Sequence, residues 1–319
     1  MTRSLLVLST IALTAFMLAL AVGSVTIAPS ELWAVIQGGG SKLHQTLLLE
    51  LRLPRTLAAF ATGGLLAVAG ALMQVLLRNP LADPYVLGLS GGAAVGALLA
   101  MLAGMGALLI SGSAFAGAML AMVLVFGLAH GTGSWTASRL LLTGVVVAAG
   151  WGAVITLMLA ITPSYKLPGM LYWLMGDVSY ARTPWPAFVV LVLAILVIMP
   201  LARNLNVLAR GPMQAAALGV SVRPLEWTIY VLASLLTATA VTTAGSIGFV
   251  GLIVPHMLRL VLGNDQRIIL PASALAGGTL LVLADTLART VIAPEQLPVG
   301  VITALLGVPT FLYLLHRSR

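Results

Sequence analysis

Apolar residues run along this chain in blocks of about twenty, each closed by a cluster of glycine, proline, asparagine or aspartate. About 20 mostly apolar residues make a membrane-spanning helix. By that ruler the pattern predicts ten spans, at 5–25, 54–77, 84–104, 107–129, 138–161, 186–202, 225–245, 247–262, 268–289 and 298–316. The breaks carry turn chemistry: Gly38-Gly39-Gly40-Ser41, Asn79-Pro80, Asp83-Pro84, His130-Gly131-Thr132-Gly133, Thr162-Pro163 and Gly211-Pro212. Arg3 and the apolar run after it resemble a signal peptide. Leu5 to Val22 is long for such a segment and no A-x-A site follows, so it is read as a retained first span. No polar domain interrupts the pattern. The expected fold is all-α, a polytopic helical bundle in which residues 1–319 form a single transmembrane domain.

Composition narrows the class. Of 319 residues, 60% are hydrophobic and 8% charged, with a mean hydropathy of +1.10. Soluble domains carry about 25% charged residues, and so apolar a chain would precipitate from water. The absence of cysteine excludes disulfides, thiol catalysis and thiolate metal sites. The only lysines, Lys42 and Lys166, lie outside any G-x-x-x-x-G-K-[ST] phosphate loop, so ATP-driven work would need a partner chain.

Charge then sets an expected orientation. With a cytoplasmic N-terminus and alternating spans, the inner side receives Arg3, Arg78, Arg139, Arg203, Arg210, Arg223, Arg259, Arg267, Arg317 and Arg319, against Asp83, Glu226 and Asp265. The outer side receives Lys42, Arg52, Arg55, Lys166, Arg182 and Arg289, against Glu31, Glu50, Asp177, Asp285 and Glu295. The inner excess matches the positive-inside bias and predicts both termini in the cytoplasm. The high pI reflects topology; no basic stripe with interleaved aromatics points to nucleic acid.

Few residues offer chemistry. Gly88, Gly92 and Gly96, and again Gly245, Gly248 and Gly251, are spaced for close helix packing, with a subunit interface or a hinge as the sharper reading. Asp285 could serve a proton relay, but Arg289 four residues on suggests a local ion pair. His256 has no second ligand-type residue one helical turn away. Gly88-Leu89-Ser90-Gly91 matches the G-x-S-G of rhomboid-type intramembrane proteases, with His256 as nominal base; the motif is weak among 33 glycines. Met213 to Gly219 reads as a short helix ended by glycine, either lying on lipid headgroups or docking a cytoplasmic partner. Arg52 and Arg55 snorkel at the interface or meet an acidic partner outside.

At these residues the sequence resembles the FecCD family of permeases, which includes the vitamin B12 transporter permease. The blocks are Arg52-Leu53-Pro54-Arg55-Thr56, Gly70-Ala71-Leu72-Met73-Gln74, Arg78-Asn79-Pro80-Leu81-Ala82-Asp83-Pro84 with Leu87-Gly88, Ser138-Arg139-Leu140-Leu141-Leu142, Gly245-Ser246-Ile247-Gly248-Phe249-Val250-Gly251-Leu252 with Pro255-His256, and Leu297-Pro298-Val299-Gly300. The resemblance implies a type II ABC importer of the bacterial inner membrane, carrying a ferric siderophore, vitamin B12 or haem by alternating access. It implies two copies of the permease, two cytoplasmic ATPase subunits that bind the ATP and Mg, a periplasmic binding protein, and no cofactor on this chain. By the same resemblance Arg52, Arg55 and Arg289 would meet glutamates of the binding protein. Gln214, Ala215, Ala216, Ala217, Leu218 and Gly219 would couple to the ATPase. Asn79, Leu81, Ala137 and Ser138 would line the inner gate, although the vitamin B12 permease has threonine where this chain has Ala137. An ion-driven secondary transporter is the competing reading; an intramembrane serine protease is a remote one.

Overall fold

A computed structural model describes residues 2–23, 25–130, 136–179, 181 and 183–317. Most of the turn expected at 130–133 lies outside them, as do Arg182 and Arg319 from the charge tally.

In chain order the helices are α1 (Thr2–Ala21), α2 (Pro29–Ile36), α3 (Lys42–Gln45), a π-helical stretch (Thr46–Arg52) running into α4 (Leu53–Leu76), then α5 (Leu89–Leu102), α6 (Ala107–His130), α7 (Ala137–Ile161) and α8 (Leu167–Met175). They continue as α9 (Trp185–Ile198), α10 (Ala202–Leu208), α11 (Pro212–Ala217), α12 (Val222–Ala244), α13 (Val250–Leu262), α14 (Gln266–Thr290) and α15 (Val299–Arg317). No strand occurs among the described residues. Seven helical runs are long and apolar enough to cross a membrane, and α5, α13 and most of α15 are shorter apolar helices. Together they account for the ten expected spans.

The bundle is organised around α4. Its residues from Ala58 to Leu76 are buried except Phe60, and it packs against α14, α12, α13 and α9. Lipid is as apolar as leucine, so helices associate in it by close van der Waals fit of small residues. Gly63 of α4 faces Gly277 of α14, and Gly70 faces Gly251 of α13; a Cβ on Gly63 or Gly70 would overlap the facing carbonyl. By contrast α6 and α7 turn Leu120, Val123, Leu128, Leu142, Val146 and Leu157 outward.

Several boundaries differ from the sequence reading. The third span was expected from residue 84, but Pro84–Leu87 forms a 3-10 turn and the α-helix starts only at Leu89. Gly88 therefore lies ahead of the helix, with φ +72, and packs against α7 rather than sharing a face with Gly92 and Gly96. Those two do seat α5 on Gly117 and Ser113 of α6. A Cβ on Gly248 would meet open space, while Gly245 and Gly251 sit in close contacts with Trp173 and Leu66. Helices α2, α3, α8, α10 and the π stretch had no counterpart in the ten spans.

With 14 and 13 residues, α5 and α13 reach only about 20 Å each at 1.5 Å per residue. That falls short of a hydrocarbon core of about 30 Å. The segments ahead of them, 84–88 and 245–249, make up the difference and meet each other: the Ile247 N–H donates to the Tyr85 hydroxyl at 3.1 Å. Non-helical backbone at membrane depth is tolerated where protein buries it.

Candidate functional site

At one end of the bundle the three arginines predicted to dock a binding protein gather near Asp285. Residues 285 and 289 share a face of α14 at i,i+4 spacing, and Arg55 stands in the first turn of α4. Arg55 grips Asp285 from both sides of its guanidinium: Nε donates to Oδ1 at 3.0 Å and Oδ2 at 3.1 Å, and Nη2 to Oδ1 at 2.8 Å. Arg55 Nη1 donates to Gln296 Oε1 at 2.6 Å, and Asp177 Oδ1 lies 3.9 Å from Nη2. Arg289 Nε sits 3.2 Å from Asp285 Oδ2, an ion pair by proximity, though not aligned as a hydrogen bond.

Arg52 and Arg289 also serve the end of α1. The last carbonyls of a helix lack intrahelical partners. Arg52 Nη1 donates to Leu20 O at 2.7 Å and Ala21 O at 3.0 Å, its Nη2 bonds Val25 O, and Arg289 Nη2 reaches Ala19 O at 3.2 Å. Both residues are only 6% exposed. The π-helical stretch ends at Arg52, and this guanidinium passes beneath Gly23 to reach the α1 carbonyls. The sequence treated the three arginines as alike; the structure separates Arg55, with 12% of its side chain exposed, from two arginines engaged in tying α1 to α4 and α14. Asp285 is held by two guanidiniums, unlike the free carboxyl that a proton relay needs.

The opposite end carries the predicted coupling segment. Helix α11 stands between Gly211 at φ +127 and Gly219 at φ +80, conformations that glycine adopts without strain. Ala215 is fully buried and anchors it, while Gln214, Ala216, Ala217, Leu218 and Gly219 are exposed, as is Met213. Met213 is 86% and Leu218 70% exposed, so the helix presents an apolar edge outward. Behind it a clamp joins α10 to the start of α14: Asn206 Nδ2 donates to Asp265 Oδ1 at 2.8 Å, and Gln266 N donates to Asn206 Oδ1 at 2.8 Å. The Asn206 bond, with the Arg267 backbone N–H, holds the Asp265 carboxyl below its ordinary value. Nothing in the sequence singled out Asn206, whose partners lie about sixty residues away.

The expected gate residues lie at the α4 and α7 ends. Asn79 Oδ1 accepts from Leu81 N at 2.9 Å in the turn after α4, and Leu81 is 36% exposed. Ala137 and Ser138 open α7, capped by Thr136, whose hydroxyl accepts from Arg139 N at 3.3 Å. Close by, Gln74 inside α4 bonds both Leu252 O and Arg259 of α13; Arg259 also reaches Ala71 O at 3.2 Å. The protease pairing gains no support. Ser90 begins α5, which packs on α6, α7 and α12, whereas His256 is on α13, which packs on α4, α14 and α15. No hydrogen bond joins the two among the described residues.

Comparison with known proteins follows this geometry. The sequence model of the FecCD transport family matches residues 11–317. The ABC transporter permease protein YvrB of Bacillus subtilis is 41% identical over 293 residues, covering 88% of this chain and 82% of that protein. The vitamin B12 import system permease protein BtuC of Vibrio cholerae is 39% identical over 306 residues, covering 91% and 88%. The hemin transport system permease protein HmuU of Yersinia pestis is 40% identical over 280 residues, covering 85% and 83%. A solved inward-facing conformation of a metal-chelate-type ABC transporter superposes with a TM-score of 0.89 at 29% identity, covering 99% of this chain and all of that one. A ten-span bundle built around α4, matched over nearly its whole length by these permeases, belongs to the FecCD transport family of ABC importer permeases.

Proposed function

We propose that this chain is the membrane-spanning half of a binding-protein-dependent importer, and that it pairs with a second copy to carry a metal chelate across the bacterial inner membrane. The cargo is a ferric siderophore, a corrinoid such as vitamin B12, or haem. Two ATPase subunits drive it from the cytoplasm, where both termini lie, and alternating access moves the cargo without a covalent step. The observation that carries this reading is α11: an anchored helix with an exposed apolar edge, framed by two positive-φ glycines, is shaped to sit in a groove of another protein. Residues 214–219 are the coupling surface. Asn79, Leu81, Ala137 and Ser138 form the inner gate.

Arg52, Arg55 and Arg289 form the docking cluster for acidic residues of the binding protein. Arg55 is its least buried member, and the other two hold the platform. Such contacts weaken with salt.

The test is uptake of labelled cobalamin, ferric siderophore and haem into proteoliposomes containing this chain and its cognate ATPase, with the binding protein on the opposite side. ATP-dependent accumulation of one chelate is expected, and Arg55→Glu should cut it at least tenfold. Transport that persists without the ATPase would overturn the proposal in favour of an ion-driven carrier.

A further inference from the structure

We infer that the cleft at the α11 end, between α4, α10, α13 and α14, binds a phosphate group, borne by an anionic lipid headgroup or free in solution. The cleft encloses about 580 Å³, within the range of small-ligand sites. Its walls carry Arg78, Arg210 and Arg259 against one acid, Asp265. Asp265 stays ionised on that wall, its Oδ1 accepting from Asn206 and from the Arg267 backbone, so the arginines outnumber it three to one. Glu226 lies within electrostatic reach of Arg78 and Arg223. Among the described residues, neither Arg78 nor Arg210 has a carboxylate within ion-pair distance, and both are exposed.

Arginines at helix C-termini also answer the helix dipole, and α4, α10 and α13 all end here. Three such ends carry about half a negative charge each, and the α14 N-terminus returns about half a positive one. With the Asp265 carboxylate this makes about two negative charges against three guanidiniums. One further observation points to an occupant. Arg78 closes α4 in a left-handed conformation, φ +49, with Arg78 N donating to Val75 O and Asn79 N to Gln74 O. Glycine is the usual residue at that position, and a side chain there is strained. The strained arginine presents a charged fork to the cleft where glycine would present nothing, and guanidinium forks match phosphate oxygens.

That the cleft lies level with the inner leaflet's headgroups rests on the orientation proposed above. Basic pockets between helices on that side suit anionic headgroups, and each arginine there adds about fivefold in affinity. The experiment uses the whole transporter, permease with its ATPase, in nanodiscs of phosphatidylcholine doped with phosphatidylglycerol, and reads the lipid retained by native mass spectrometry. Wild type should retain phosphatidylglycerol, the R78Q/R210Q double variant about 25-fold less, and R203Q within twofold of wild type. R78K/R210K, keeping the charge, should retain most of it and separates lost binding from lost fold. In pure phosphatidylcholine, inorganic phosphate that slows hydrogen exchange at 206–210 and 264–266, and fails to do so in R78Q/R210Q, would make free phosphate the source. Equal retention of the two lipids, or of phosphatidylglycerol by wild type and R78Q/R210Q with no phosphate effect, overturns the site. The readout needs no transport, so a failed uptake assay would sink the importer reading and leave this result standing.

Discussion

Asp285 shows what one residue can hold together. It is 1% exposed and pairs with both Arg55 from α4 and Arg289 from its own helix. Removing one partner of a buried pair leaves an uncompensated charge and typically costs about 3–5 kcal/mol. Asp285→Ala should therefore lower the thermal unfolding midpoint of the detergent-solubilised protein by several degrees. An unchanged midpoint would mean that the arginines find other partners. The sequence disclosed half of this site. Arg289 follows Asp285 by four residues, so their pairing could be read from helical spacing, whereas Arg55 lies 230 residues away. The bonds of Arg52 to the end of α1 were less legible still. Arg52 looked like an outward-facing interfacial charge because nothing in a linear pattern says where the carbonyls of α1 end up.

At the scale of elements, glycine contacts decide how close helices come. A methyl on Gly70 would overlap the Gly251 carbonyl, with backbone on the far side unable to swing away. Overpacking costs typically 1–3 kcal/mol. Gly70→Ala should destabilise at least that much, read by thermal unfolding, while Gly112→Ala, with open space around it, should change the midpoint little. The Asn206 clamp makes a second case. It ties α10, which leads directly into α11, to the start of α14. Asn206→Ala should loosen ATP hydrolysis from uptake, with ATPase activity within about twofold of wild type and accumulation reduced about fivefold or more. Equal loss of both would assign Asn206 to folding alone. The Asp265 carboxyl is depressed in the fold. Its contribution to the clamp is thus complete above the ordinary carboxylate pKa and fades as pH falls through the lower folded value. Hydrogen-exchange protection at 206–210, corrected for the intrinsic rate at each pH, should fall on acidification below about pH 4. The ten apolar blocks were legible because length and hydropathy alone define them. The short α2, α8 and α10 were not, since each is under half the length used as the ruler. The late start of α5 was hidden because apolar residues continue unbroken through the turn at 84–88.

For the whole molecule, the question is which end faces which compartment. The absence of native cysteine makes this direct to test. Met213→Cys should react with a membrane-impermeant maleimide only after cells are opened, and Glu295→Cys in intact cells; the reverse pattern would invert the orientation and with it the positive-inside reading. The single bond from Ile247 N to the Tyr85 hydroxyl has a consequence for motion. It fastens together the two crossings that the membrane cannot fill with α-helix alone, and α4 backs the joint through Leu66 and Gly70. Those contacts join the two crossings to α4. In the import cycle proposed above, the joint is expected to move together with α4, and the first movements are expected in α6, α7 and the α10–α11 arm around it.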